Sequence, residues 1–359
     1  MRARLDGLTG LRFFAAAWVV LFHFREVSPT TVFAYPVIDP LIRHGAHGVD
    51  LFFVLSGFIL SHVYLKTFSG KISWAETWSF MAFRFARLYP VHLVTFLMMA
   101  SLYVAEQVVT GQSSAQSERF SWQSVLSTLT LTHAWFPGVQ TPNLPAWSIS
   151  AEWFAYLLFP LLCVLIRRMW GPVLAFAVAG MGLALLQSFS TSDLGRVMAG
   201  FLIGMAAYQV AHRHSASLAR LRYLGCATAL LIIIWAVTSE APRMELGLVL
   251  FAVLIIALAN EGDWLARLLS LRTLVYFGEV SYALYMFHWV ARVIVRVGLE
   301  RANLFDIIPS GLSVTLYLIL TLGGAVLLYH FVEKPGRNRL RGLATFSPKR
   351  KVREGALTP

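Results

Sequence analysis

Apolar runs of membrane-spanning length recur from one end of this chain to the other. They restrict it to folds that satisfy their backbone in lipid. A spanning helix needs roughly 17–25 mostly apolar residues. Runs that meet this lie near 7–25, 47–66, 86–106, 150–167, 172–189, 194–211, 221–238, 243–260, 273–297 and 307–332. Composition agrees: 57% of residues are hydrophobic and 13% charged, against about 25% charged in a soluble domain. Only helices and closed barrels pair every backbone donor and acceptor inside a bilayer, and runs this long point to helices. The expected class is therefore all-α: a polytopic membrane helix bundle of about ten transmembrane helices.

An even number of spans puts both termini on one side. With both termini cytoplasmic, 21 of the 30 Lys and Arg fall on inner segments or the C-terminal tail, 5 on outer loops and 4 within spans. That asymmetry is the one Lys and Arg show across the inner (plasma) membrane, where we expect the chain to reside. It also explains the net charge of +12 without nucleic acid. Residues 1–335 read as the membrane domain. Residues 336–359 read as a basic cytoplasmic tail, resting near anionic headgroups or disordered, with Pro335 stopping the last helix. The basic start before Phe13–Phe22 is superficially like a secretion signal. No small-x-small site follows closely, so an uncleaved first span is expected.

The longest outer loop, 107–149, opens on the polar GQSSAQSE and turns apolar enough for a short interfacial or re-entrant helix. Cys163 and Cys226 lie in apolar runs and read as small core residues. No metal-ligand spacing is present, and no metal is expected. HExxH, Walker-type and GxSxG motifs are missing from the sequence. Their absence weakens readings as a metalloprotease, an ATP-driven pump or a serine hydrolase.

Ionisable residues inside spans are expensive, so each asks for a reason. Arg12 and His23 are eleven residues apart in the first run. On a helix that is about 20° around the axis and ~16.5 Å along it, so they share a face. Headgroup snorkelling and function both account for them. Asp50 opens the second run, with Ser56 and Gly57 deeper; a dipole-favoured carboxylate and small packing residues are the structural alternatives. Arg84 and Arg87 share a face at i, i+3, either as anchors at the inner surface or as a phosphate clamp. Ser148 reads as an N-cap with Glu152 in the first turn. Ser281 and His288 share a face in the ninth run, with Tyr285 close by, and a histidine this deep favours function. Gly200 and Gly204 form a GxxxG packing motif.

Taken together, LDGLTGLRFFAAAWVVLFH, GVDLFFVLSGFI, FRFARLYP, PAWSISAEWFAYLLFP, GEVSYALYMFH and VEKP resemble, in order, the acyltransferase family 3 proteins. These are multi-spanning membrane O-acyltransferases of bacteria. The resemblance is to the form without a C-terminal esterase-like domain. It implies about ten helices and an acyl-CoA donor, usually acetyl-CoA, as co-substrate. The acceptors it implies are hydroxyls on lipopolysaccharide, exopolysaccharide, peptidoglycan, nodulation factors or macrolides. It assigns function to the positions of Arg12 and His23, and to the RxxR pair Arg84 and Arg87. One departure stands out: the usual acidic pair after WSxS is Glu152–Trp153 here.

Placement suggests a mechanism. Arg12, Arg84 and Arg87 fall toward the inner side; His23, Asp50 and Glu152 fall toward the outer side, and His288 lies between. Coenzyme A phosphates stay at the arginines because they are too polar for lipid. The carrier site is expected to hold Arg12, Arg84, Arg87, Ser56 and Tyr285. The pantetheine arm then reaches toward His23, a general base on the acceptor or a transient acyl carrier. Asp50 or Glu152 would fix its tautomer, and His288 would bind acceptor or thioester. Trp122, Trp135 and Trp147 offer stacking surfaces to the sugar rings of a glycan or glycolipid. A transporter or flippase is the rival, and predicts flux without coenzyme A consumption.

Overall fold

The computed structural model describes residues 5–25, 35, 38–68, 70, 72–110, 117–168, 182, 193–239, 244–301 and 310–344. Among these, helices and turns form the whole structure and no strand occurs. The longer helices are α1 (Asp6–Arg25), α3 (Gly48–Phe68), α4 (Trp74–Thr110), α6 (Ala146–Arg168), α7 (Asp193–Arg213), α11 (Arg272–Arg301) and α12 (Ser310–Leu328). Shorter ones are α2 (Ile38–Arg43), α5 (Trp122–Leu129), α8 (Leu224–Thr238), α9 (Met244–Leu258), α10 (Trp264–Leu269) and α13 (Lys334–Ala344).

Among the described residues, six segments are long and apolar enough to cross a membrane: Asp6–Arg25, Gly45–Phe68, Trp74–Val109, Ala146–Leu165, Asp193–Arg213 and Gly311–Gly342. Leu224–Thr238 and Glu245–Leu258 are apolar but shorter. Helix α11 has the length but carries Glu279, Arg292 and Arg296. The expected fifth span, 172–189, falls almost wholly outside the described residues, as do most of GQSSAQSE and the tail beyond 344.

Two close helix pairs organise the bundle. Helix α3 lies along α7, and α1 lies along α11. A Cβ on Gly204 would stand 2.0 Å from the Val54 carbonyl oxygen, and one on Gly57 2.0 Å from that of Phe201. The GxxxG glycine therefore lets backbone meet backbone, with no side chain between. At the α1–α11 crossing, a Cβ on Gly278 would fall 1.9 Å from the Thr9 carbonyl oxygen. That contact fixes α11 against α1, and with it the relative heights of the histidines on the two helices. Phe24 stacks on Tyr317 with centroids 4.2 Å apart, which ties α12 to the same pair.

Two expectations change here. Pro335 does not end the helix. After α12 the chain makes a π-helical turn, Tyr329–Glu333, and runs on as α13 against α4. Proline is tolerated there because it falls in a first turn, where its missing N–H removes little. Residues 336–344 are thus a packed helix. Ser148 is also not an N-cap, because α6 begins earlier, at Ala146. Within the expected outer loop, α5 is a short helix with Trp122 and Leu126 exposed on its surface.

Candidate active site

His23 sits in the last turn of α1 and His288 in the middle of α11. The α1–α11 packing brings their rings together, with His288 Nε2 3.3 Å from His23 Nδ1. Their hydrogen bonds settle which nitrogen carries each proton. His288 Nδ1 faces the Tyr285 carbonyl oxygen at 2.5 Å, and a carbonyl only accepts, so Nδ1 is protonated. A neutral His288 then presents Nε2 as an acceptor. His23 Nδ1 faces both this nitrogen and the Val19 carbonyl oxygen, at 3.1 Å, so it too is protonated. A neutral His23 therefore keeps its lone pair on Nε2, which no described residue bonds. Trp289 meets the His23 ring edge-on at 5.5 Å. Arg292, one turn along α11, stands over the Trp289 ring at 4.3 Å and within the field of both imidazoles.

Neither candidate carboxylate orients His23. Asp50 is buried and takes a bidentate grip from Arg196, Nε to Oδ1 at 2.7 Å and Nη2 to Oδ2 at 3.0 Å. His47 donates to its Oδ2 at 3.0 Å. Arg196 also reaches the Ala46 carbonyl and lies over the Trp147 ring. Asp50 thus clamps α3 to α7. The role expected of a carboxylate falls instead to two backbone carbonyls, which accept from the imidazoles over one turn of their own helices.

Glu152 lies on the other side of the partition from the one expected. Its Oε1 accepts from Ser56 and from Tyr156, each at 2.6 Å, and its charge acts on Arg12 and Arg84. It belongs with the arginines because α6 starts earlier than its sequence suggests. Ser56 is spent on this carboxylate. Tyr285 is spent as well: its hydroxyl, that of Ser148 and the Pro145 carbonyl form a triangle with sides of 2.9, 3.0 and 3.0 Å. Tyr285 therefore supports His288 through its carbonyl and anchors the start of α6 through its phenol. Ser281 donates to the Gly278 carbonyl. Trp135 donates its indole N–H to the Ser150 carbonyl, and Trp147 packs on Phe53 beneath Arg196; Trp122 stays exposed.

Arg12, Arg84 and Arg87 do converge. Arg12 and Arg87 repel one another, as do Arg87 and Arg84. Arg84 lies over the Tyr64 ring at 5.7 Å. The sequence reading missed three further members. Glu333 is buried in the π-helical turn and faces Arg12, Arg87 and Arg337. Arg337 and Arg341 come from α13, which the proline disguised. The Nε atoms of Arg84 and Arg337 are buried without a hydrogen-bond partner among the described residues. Buried cationic donors left unpaired suit a site for a phosphate-bearing anion. Helix α1 links the two regions directly, with Arg12 and His23 eleven residues apart on one unbroken helix.

The family model described as "Acyltransferase domain" matches residues 5–330. The chain belongs to the acyltransferase 3 family. It is 28% identical over 376 residues to the acyltransferase MdmB of Streptomyces mycarofaciens, covering 92% of this chain and 91% of that protein. It is 26% identical over 378 residues to YrhL of Bacillus subtilis strain 168, provisionally named a peptidoglycan O-acetyltransferase. It is 25% identical over 383 residues to the O-acetyltransferase OatA of Staphylococcus aureus. Those matches cover 96% and 97% of this chain but 56% and 59% of the relatives, so the chain spans little more than half of each. No solved structure matches it.

Proposed function

We propose that this protein is a membrane O-acyltransferase that moves an acyl group, acetyl in the simplest case, from acyl-CoA to a glycan or glycolipid hydroxyl. One observation carries the reading. A histidine with an unprotonated, unbonded nitrogen and Arg12, the α1 member of the arginine cluster, occupy the same face of one helix, roughly 16.5 Å apart. A base and an anion site at that spacing suit a carrier whose phosphates stop at one and whose thioester reaches the other. The names of the relatives YrhL and OatA support O-acetyl transfer, and that of YrhL a peptidoglycan-like acceptor.

The arginines Arg12, Arg84 and Arg87 would hold the carrier's phosphates, and the carrier would supply an activated thioester carbonyl. His23 Nε2 takes the acceptor's hydroxyl proton as the oxygen attacks that carbonyl. The carbon–oxygen bond forms, the carbon–sulfur bond breaks, and the proton leaves on the thiol. His288 holds the reactive tautomer of His23 and shares the charge that appears on it. Helices α1 and α11 exclude water by packing Val19, Trp289 and Tyr285 around the pair. In the plasma membrane, ten spans with both termini cytoplasmic would place the arginines on the side where acyl-CoA is made.

The test is transfer of labelled acetyl from acetyl-CoA in membranes holding the wild type, His23→Ala or Arg84→Ala, with mass spectrometry of the envelope glycans. Labelled glycan and released coenzyme A from the wild type alone support the reading. Near-normal turnover by His23→Ala, or substrate flux with no coenzyme A released, sinks it.

A further inference from the structure

We propose that α13 completes the carrier site and reads the outermost phosphate of the carrier, the 3′-phosphate on the ribose of coenzyme A. This rests on the coenzyme A reading above and adds which part of the carrier the helix meets.

Arg337 and Arg341 are four residues apart on α13, so they lie about 40° from one another around the axis. Arg339 points the opposite way and is exposed. Arg337 is only 7% exposed, and its Nε has no partner among the described residues although Glu333 lies near. Arg341 lies over the Phe83 ring at 5.7 Å and within the field of Arg84, Arg87 and Arg337. Like charges at i, i+4 destabilise a helix. Here the pair also lies within the field of two more guanidiniums of α4. The π-helical turn and the seating of Gly336 on Pro90 hold α13 in that position. Two carboxylates face the five arginines Arg12, Arg84, Arg87, Arg337 and Arg341: Glu152 acts on Arg12 and Arg84, and Glu333 on Arg12, Arg87 and Arg337. The cluster keeps a positive surplus that an anion with several phosphates would neutralise.

The order of the arginines matches the order of groups along the carrier. Arg12 shares its field with Arg87 and lies on the helix that leads to His23. Arg341 lies over Phe83, which precedes Arg84 and Arg87 on α4, and within the field of both arginines. Coenzyme A runs from thioester through pantetheine to pyrophosphate, and then to the ribose with its 3′-phosphate. Seating the thioester at His23 gives the pyrophosphate to Arg12, Arg84 and Arg87. The 3′-phosphate then falls to Arg337 and Arg341.

Binding of coenzyme A and of 3′-dephospho-coenzyme A to the full-length protein in detergent tests this. The wild type is expected to prefer coenzyme A by roughly ten-fold or more, as for a hydrogen-bonded charge pair. Arg341→Gln and Arg337→Gln are expected to bring the preference close to unity by weakening coenzyme A alone. Unchanged affinity for the dephospho form reports that each variant is folded. Arg341→Lys should keep most of the preference, and Arg339→Gln all of it. Equal wild-type binding of the two carriers overturns the inference, and so does full preference in Arg341→Gln. A wild type that binds neither carrier instead fails the coenzyme A reading itself. An anionic lipid headgroup offers the same phosphate chemistry. If the α13 variants lose only the response to phosphatidylglycerol nanodiscs, the helix reads lipid and the inference is wrong.

Discussion

The imidazole pair and the arginine cluster share α1, yet they are built in opposite ways. The imidazoles come from two helices and are tied by short-range bonds to backbone carbonyls of those helices. The arginines come from α1, α4 and α13 and are held mainly by packing and a few carboxylates. The imidazoles of the first region have their nitrogens satisfied except the one that chemistry would use. The second leaves buried donors unpaired. A neutral site can be completed by its own chain, whereas a strongly cationic one needs its anion to be at rest. Catalysis and carrier binding should therefore fail separately when mutated.

The largest effect is expected at the imidazoles. His23→Ala should lower the turnover number by about 10²–10⁴-fold, the span of general-base catalysis, with carrier affinity unchanged. Equal losses in turnover and carrier binding would erase the division between the regions. His288→Ala should cost less, roughly 10- to 100-fold, because it removes the partner that fixes the reactive tautomer. A steady-state rate equal to that of His23→Ala would give it a direct part in the reaction. Arg87→Gln should act in the other direction, raising KM for acyl-CoA by roughly ten-fold while turnover holds.

Two smaller effects bear on the frame around both regions. Gly204→Leu drives a side chain into the Val54 carbonyl and should destabilise the α3–α7 pair by about 1–3 kcal/mol, read as a lower melting midpoint in detergent. His133, in the turn between α5 and α6, is buried, and burial with His92 nearby pushes its pKa down to about 4. Its folded value lies below the unfolded one of 6.5, so its share of stability is present above pH 6.5. That share falls away as the pH drops toward 4, and the loss reaches about 1 kcal/mol near pH 5.5. Hydrogen exchange across 120–145 should quicken between pH 7 and 5, and His133→Gln should flatten that response.

Much of the bundle was legible because spanning helices announce themselves by length and apolarity. Helices α1, α3 and α7 follow that signal, and the GxxxG of α7 names its own packing face. Residues near in sequence were also readable, such as the shared face of Arg84 and Arg87. Pairings across hundreds of residues were not. His23 and His288 are 265 apart, and nothing in either segment specifies the other. Asp50 resembled a catalytic carboxylate because its partner, Arg196, lies 146 residues on and read as one more charge within a span. Glu152 was put at the wrong end because a few residues of extra helix move a side chain by a full turn. Helix α13 was hidden by Pro335, although Arg337, Arg339 and Arg341 already carried the alternation that divides its buried face from its exposed one.

The turn at Tyr329–Glu333 makes the bearing of that last helix a matter of counting. Each residue added to or removed from a helix rotates everything after it by about 100°. Deleting one uncharged residue there would swing Arg337 and Arg341 away from α4 and carry them around the barrel of the helix, with neither arginine lost. Reinserting any residue nearby, whatever its side chain, would bring them back. Carrier affinity in such a pair of variants would follow chain length in this turn, so natural insertions and deletions at this spot would act as a dial on donor use.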